Sequence, residues 1–108
     1  MNKNKQPVVY YTMDFIEMGD FYDLINESNF ISEKLAISFL TQILSALKQL
    51  HSKKIYHFDL KPENILIDPK GQIYLCDFGH SLHLKDKSNK WKNFRLISSI
   101  EYSAPELH

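Results

Sequence analysis

Between two apolar runs the chain places Ile55-Tyr56-His57-Phe58-Asp59-Leu60-Lys61-Pro62-Glu63-Asn64-Ile65-Leu66-Ile67. His57, Asp59, Lys61, Glu63 and Asn64 crowd polar chemistry into a stretch whose flanks favour burial. Asp59 can accept a proton. Lys61 can neutralise a phosphate. Asn64 carries an amide oxygen able to ligate a metal, and a further acid, Asp77, follows in Asp77-Phe78-Gly79. Asn64 and Asp77 make an oxygen-rich pair suited to Mg²⁺, which takes few hard protein ligands together with substrate phosphates.

Such groups act only if something holds them still. Upstream, Ser32 is a good helix cap and Glu33 suits the positive end of the helix dipole. Leu35, Ala36, Phe39, Leu40, Ile43, Leu44, Leu47 and Leu50 recur at three- and four-residue intervals, which predicts a helix to about Ser52. Downstream, Ile65 to Ile67 and Ile73 to Cys76 are strand-like and flank Asp68-Pro69-Lys70-Gly71, a turn sequence, so a hairpin is expected. That hairpin returns the chain on itself and brings Asp77 close to Asn64. A loop held between a buried helix and a buried hairpin is a rigid platform for polar groups. Nearer the start, Val8 to Met13 reads as a strand, and Asp20 can cap a short helix over Phe21 to Ile25, followed by a loop at Asn26 to Phe30. Gly79 to Ser103 reads as one long polar loop with a Lys-rich middle, Lys85 to Lys92, and loops of that length are functional or disordered.

Composition sets the frame. The 108 residues suffice for one small domain, and 44% hydrophobic content is ordinary for a chain that forms a core. Thirteen acids balance thirteen bases, so neither nucleic acid nor an anionic membrane is expected as the main partner. Cys76 is the single cysteine, which excludes an internal disulfide and fits a reducing, intracellular and cytoplasmic setting. No apolar run approaches the roughly 18 residues of a membrane span. The polar, basic segment at residues 1–7 lacks the apolar stretch of a secretory signal.

The motifs together resemble those of the eukaryotic protein kinases. His57-Phe58-Asp59-Leu60-Lys61-Pro62-Glu63-Asn64 is similar to their catalytic loop, Asp77-Phe78-Gly79 to their metal motif, and Ala104-Pro105-Glu106 to the end of their activation segment. Thr12 to Asp20 is similar to the hinge between the two kinase lobes. The resemblance covers nearly the whole chain from about Val8. It implies an α+β fold: an incomplete kinase-like domain over residues 8–108, mainly the helical C-terminal lobe, with a hinge strand, a long helix and a small β-hairpin. It also implies ATP and Mg²⁺ as cofactors and a protein Ser or Thr hydroxyl as acceptor of the γ-phosphoryl group.

By the same resemblance Asp59 orients the substrate hydroxyl and takes its proton, and Lys61 steadies the transferring group. Asn64 and Asp77 hold the metal. Met13 is the gatekeeper, the backbones of Asp14 and Ile16 meet adenine, Asp20 lies near the ribose or substrate, and Leu66 completes the cofactor-binding set. Lys61 matches the serine/threonine class, and Ser99 stands where that class usually carries Thr. His57 and Phe78 resemble members of the apolar spine linking the lobes, so His57 is expected to be packed and not a base.

The pattern is departed from in two places. Phe58 replaces the Arg that many kinases pair with a phosphorylated activation loop, a contact Phe cannot make. The Gly-rich loop, the phosphate-gripping Lys and its Glu partner are not found upstream of the hinge. The chain is therefore expected to be a fragment without turnover of its own. A catalytically inactive binding module is the alternative, and a small-molecule phosphotransferase a third reading that Lys61 and the intact motifs disfavour.

Blander roles compete at several positions. Tyr10, Tyr11, Phe15 and Phe21 are expected in strand and core packing rather than as a stacking surface for bases. His80 and His83 have zinc-like spacing, but no Cys or acid completes a set of four. Cys76 is expected as a small buried residue, the Lys run as a solvated face, and Trp91 as a local packing or docking group. The stripe Leu40, Leu44, Leu47 is expected to lack its usual partners, leaving the chain marginal, aggregation-prone or self-associating.

Overall fold

A computed structural model describes residues 7–28, 30–85 and 99–107. The element order is α1 (Phe21–Glu27), α2 (Glu33–Ser52), β1 (Ile55–Tyr56), β2 (Ile65–Ile67), β3 (Ile73–Leu75) and β4 (Leu82–His83). Short 3-10 turns occupy Pro62–Asn64, Ile100–Tyr102 and Pro105–Leu107. Among the described residues, two helices and two small antiparallel pairs make an α+β arrangement. Most of the Lys-rich segment, with Trp91, and nearly all of residues 1–7 lie outside the described residues.

Both helices start where capping chemistry dictates. The Asp20 carboxylate accepts from the Asp23 amide at 2.9 Å, and the Ser32 hydroxyl accepts from the Leu35 amide at 3.3 Å. Each satisfies an amide that the first helical turn leaves without a partner. Helix α1 continues to Glu27, beyond the expected stop at Ile25, and ends as the Ser28 amide bonds back to the Leu24 carbonyl.

The core is small and sits where α2 meets the β2–β3 hairpin. Phe39, Ile65, Ile67 and Ile73 are buried, with Phe21, Leu24, Ile43, Leu60 and Leu75 packed around them. The Phe21 and Phe39 rings meet edge to face at 5.1 Å, which ties α1 to α2. Gln42 then clamps the helix to the hairpin. Its amide donates to the Gly71 carbonyl at 2.9 Å, and its oxygen accepts from the Ile73 amide at 3.1 Å. In the turn itself, Asp68 Oδ1 accepts from the amides of Lys70 and Gln72, and Gly71 takes the left-handed φ of +77° that favours glycine. The register pairs Ile65 with Leu75 and Ile67 with Ile73.

A second pairing closes the polar stretch from its other end. Strand β1 pairs with β4, Ile55 opposite His83 and Tyr56 opposite Leu82. Two-residue strands carry no periodicity, so the sequence offered no sign of them, and β4 falls inside the expected long loop.

The expected hinge strand does not form. Val8 to Met13 runs without strand pairing, with Val8, Val9, Tyr10 and Tyr11 each more than four-fifths exposed. Its β-branched and aromatic composition is a preference for a pleated, half-buried surface, and no described strand lies beside it to provide one. Tyr10, Tyr11 and Phe15 are accordingly exposed, and only Phe21 of that group joins the core. Along α2, Ile37, Leu40 and Leu44 are more than half exposed, as anticipated for Leu40 and Leu44, whereas Leu47 is partly covered. Among the described residues no helix is long and apolar enough to cross a membrane.

Candidate active site

The polar stretch lies between β1 and β2, with β4 holding its start and the hairpin holding its end. His57 anchors it from below. It is buried, its Nε2 lies 2.8 Å from the Cys76 carbonyl, and its Nδ1 accepts from the Asp59 amide at 3.2 Å. Donating from one nitrogen and accepting at the other, His57 has neither free to act as a base. Its ring also packs on Phe78 at 4.9 Å, so the expected packed role holds.

Asp59 is 6% exposed and is surrounded by donors. Asn64 Nδ2 donates to its backbone carbonyl at 2.8 Å and to its Oδ2 at 3.1 Å. Lys61 Nζ and His80 Nδ1 each stand 3.5 Å from Oδ2. The Ser99 hydroxyl approaches Oδ1 at 3.5 Å and accepts from Lys61 Nζ at 2.9 Å. Burial pushes the Asp59 carboxyl up. The Lys61 charge, the Asn64 and Lys61 hydrogen bonds and His80 outweigh it and hold the carboxyl below its usual range. The result is a buried carboxylate kept ionised by its neighbours, with geometry fixed by contacts from four directions along the chain.

The hairpin brings the two ligand candidates together. The Cys76 amide donates to the Asn64 carbonyl at 3.0 Å, which sets Asp77 one residue beyond that bond. With Asn64 Nδ2 committed to Asp59, the side-chain oxygen is the atom left to ligate. Asp77 is exposed, and its Oδ1 accepts from the Gly79 amide at 3.2 Å. Among the described residues no cluster of three or more His, Cys, Asp or Glu can hold a metal. One amide oxygen and one carboxylate fit a cation that completes its shell from substrate phosphates and water, which is the habit of Mg²⁺.

Left-handed backbone occurs in the site at Phe58 and Asp77, with φ of +61° and +58°, and also at Lys54 after α2, with φ of +61°; the conformation is costly for Phe and Lys and more easily taken by Asp. Such residues persist where the surroundings over-determine them, and they cluster at working sites. Phe58 directly precedes Asp59, so its turn aims that carboxylate inward. Nothing in the residue types announced these turns.

The remaining predicted positions divide. Met13 and Tyr11 line a cleft of about 440 Å³ with Leu75, Cys76, Asp77 and Phe78. Asp14 and Ile16 lie instead in a separate depression with Asp68, Lys70 and Tyr74. Asp20 pairs by a backbone bridge with Leu66, while its carboxylate caps α1. Burial pushes the Cys76 thiol up, and the Asp77 charge adds to it, so Cys76 is not a reactive thiolate. His80 and His83 sit on a turn and a strand rather than one helical face, and His80 turns its Nδ1 toward Asp59. That placement of His80 was not foreseen.

Comparison with known proteins adds to the geometry. The family model described as the protein kinase domain matches residues 2–108. The chain is 34% identical over 106 residues to the serine/threonine-protein kinase PKH2 of Candida albicans, covering 92% of this chain and 11% of that protein. It is 36% identical over 99 residues to the cAMP-dependent protein kinase catalytic subunit PRKX of Mus musculus, covering 92% of this chain and 26% of that protein. It is 38% identical over 99 residues to the phosphorylase b kinase gamma catalytic chain, liver/testis isoform, of Homo sapiens, covering 92% and 24%. The chain thus spans between about a tenth and about a quarter of the length of these curated relatives.

Proposed function

The chain belongs to the protein kinase family, and from that premise we propose that it supplies the catalytic loop and metal-binding hairpin of a serine/threonine protein kinase. In this reading residues 8–108 are part of a kinase domain preceded by a polar segment, 1–7, and the described elements belong to its helical C-terminal lobe. The reaction is transfer of the γ-phosphoryl group of Mg-ATP to a Ser or Thr hydroxyl of a protein.

One observation carries the reading: Asp59 is a buried carboxylate, held ionised and oriented by Lys61 and Asn64. A carboxylate so placed can orient a hydroxyl and take its proton. Lys61, within reach of Asp59, can steady the transferring group. Catalysis of this kind is mostly positioning and charge stabilisation, which suits a rigid loop with few reactive groups. Asn64 and Asp77 would hold Mg²⁺, which when bound neutralises phosphate charge. Met13, the backbones of Asp14 and Ile16, Asp20 and Leu66 would form the nucleotide side of the site. The single free cysteine supports a reducing, cytoplasmic setting, and the balanced charge supports a protein substrate over nucleic acid or membrane.

The chain by itself is expected to have no turnover, so the test is transfer of label from γ-labelled ATP to a Ser- and Thr-containing peptide by the whole protein that carries these residues. Label should appear on Ser or Thr, and Asp59→Asn should lower the rate by about 10²–10⁴-fold. Transfer undiminished in Asp59→Asn would overturn the assignment. A second reading rests on the exposed Ile37, Leu40 and Leu44 of α2: a catalytically inactive module that binds a partner. A folded whole protein with no transfer at all would favour it.

A further inference from the structure

His80 follows the metal motif directly, and no requirement of that motif accounts for where its ring points. Its Nδ1 is shielded from solvent and has no hydrogen-bond partner among the described residues, although the rest of the ring is substantially exposed. Asp59 Oδ2 lies 3.5 Å from Nδ1. At that separation the contact is electrostatic, a step short of a well-formed hydrogen bond. Ser81 holds the turn in place: its amide donates to the Phe78 carbonyl at 3.0 Å and its hydroxyl to the His57 carbonyl at 3.4 Å.

Chemistry then restricts where the imidazole carries its proton. A lone pair on Nδ1 would face a carboxylate oxygen at close range inside a partly desolvated site, which is repulsive. An N–H there is attractive. From this we propose that His80 is a positioning residue for Asp59, with its Nδ1 protonated and directed at Oδ2. This rests on the reading of Asp59 as the proton acceptor. Three donors then converge on one oxygen: Asn64 Nδ2, Lys61 Nζ and His80 Nδ1. Among the described residues, Oδ1 is approached by the Ser99 hydroxyl, at 3.5 Å. His80 thereby biases the carboxylate to present Oδ1 to an incoming hydroxyl and prevents it from rotating. Among the described residues Lys61 is the other cationic group at the carboxylate, and its Nζ also donates to the Ser99 hydroxyl at 2.9 Å.

Long-range proton–nitrogen spectra of the full chain at alkaline pH read the tautomer directly. His80 should carry its proton on Nδ1, whereas the exposed His83 should show the Nε2–H form that neutral imidazoles favour in water. In Asp59→Ala, His80 should revert to that common form, with His83 unchanged. His80 found as the Nε2–H form in the wild type, or indifferent to Asp59→Ala, would overturn the proposal. Rates of the whole protein that carries these residues give a second reading. His80→Ala should lower kcat by about tenfold with KM for the peptide little changed, since a misplaced group costs rate rather than binding. His80→Asn, whose amide nitrogen can take the place of Nδ1, should recover most of the loss. Full rate in His80→Ala alongside an inactive Asp59→Asn overturns the role of His80 and leaves that of Asp59 standing. Undiminished transfer in Asp59→Asn overturns the role of Asp59 instead.

Discussion

Two regions of this molecule treat their side chains in opposite ways. Between β1 and β4 the chain buries polar groups and gives them partners: His57, Asp59 and Asn64 are all buried, and each is hydrogen-bonded. Along residues 8–18 and the outer face of α2 it leaves apolar groups in water: Val9, Tyr11, Phe15, Ile37 and Leu44 are exposed. The first region is costly to build, because each buried polar atom must find a partner or forfeit its hydration. The second forgoes burial that would have stabilised the fold. A chain organised this way keeps its chemistry in a self-sufficient unit and leaves its apolar surface without cover among the described residues.

The sharpest way to break this contrast is to compare truncations in the two regions. Ile67→Ala, at a side chain 3% exposed, should cost about 2–5 kcal/mol in urea denaturation, a large fraction of what a small domain has. Next in size is Asn64→Ala. It removes the donor to both the carbonyl and the carboxylate of Asp59 and should cost about 1–3 kcal/mol. A loss no larger than that of a surface change would mean that the buried network is not satisfied from within.

A smaller effect should appear in acid. Asp59 has its carboxyl depressed in the folded state, so its contribution is fully present above the ordinary carboxylate value and is lost as pH falls through the depressed one. Asp68 adds to the same trend, its carboxyl held down first by the Gln72 amide and then by that of Lys70. Stability measured from about pH 5 down to about pH 2 should fall in the wild type and fall less steeply in Asp59→Asn. Equal slopes would remove Asp59 from the acid response. The smallest effect belongs to the other region. Leu44→Ser should change stability by less than about 0.5 kcal/mol, as exposed positions do. A loss approaching that of Ile67→Ala would show that the α2 face is covered in the native protein, and the contrast would fail.

Much of the site was legible because its signals are local. Ser32 and Asp20 announce helix starts through capping chemistry, α2 through its three- and four-residue spacing, and the hairpin through Asp68-Pro69-Lys70-Gly71. The hairpin in turn implied that Asn64 and Asp77 would be neighbours, which the Cys76–Asn64 backbone bond bears out. Illegible features depend on tertiary context. The β1–β4 pair is too short for a pattern, and His80 meets Asp59 only because that pair and the turn at Ser81 bring them together. Val8 to Met13 misled for the converse reason: strand-favouring residues form a strand only beside a partner. The left-handed turn at Phe58 runs against residue preference, and no sequence rule reaches it; Asp77 takes the same conformation more readily, but its type alone does not announce it.

The polar loop and the hairpin form one pre-organised site, independent of the exposed regions. Paramagnetic broadening of backbone amide signals by Mn²⁺, added with ADP in place of Mg²⁺, tests it most directly. Broadening should centre on Asn64, Asp77 and Gly79, be lost in Asp77→Ala, and be unchanged by Leu44→Ser. Broadening centred on Asp68 or Asp23, or scattered over the acidic surface, would contradict it.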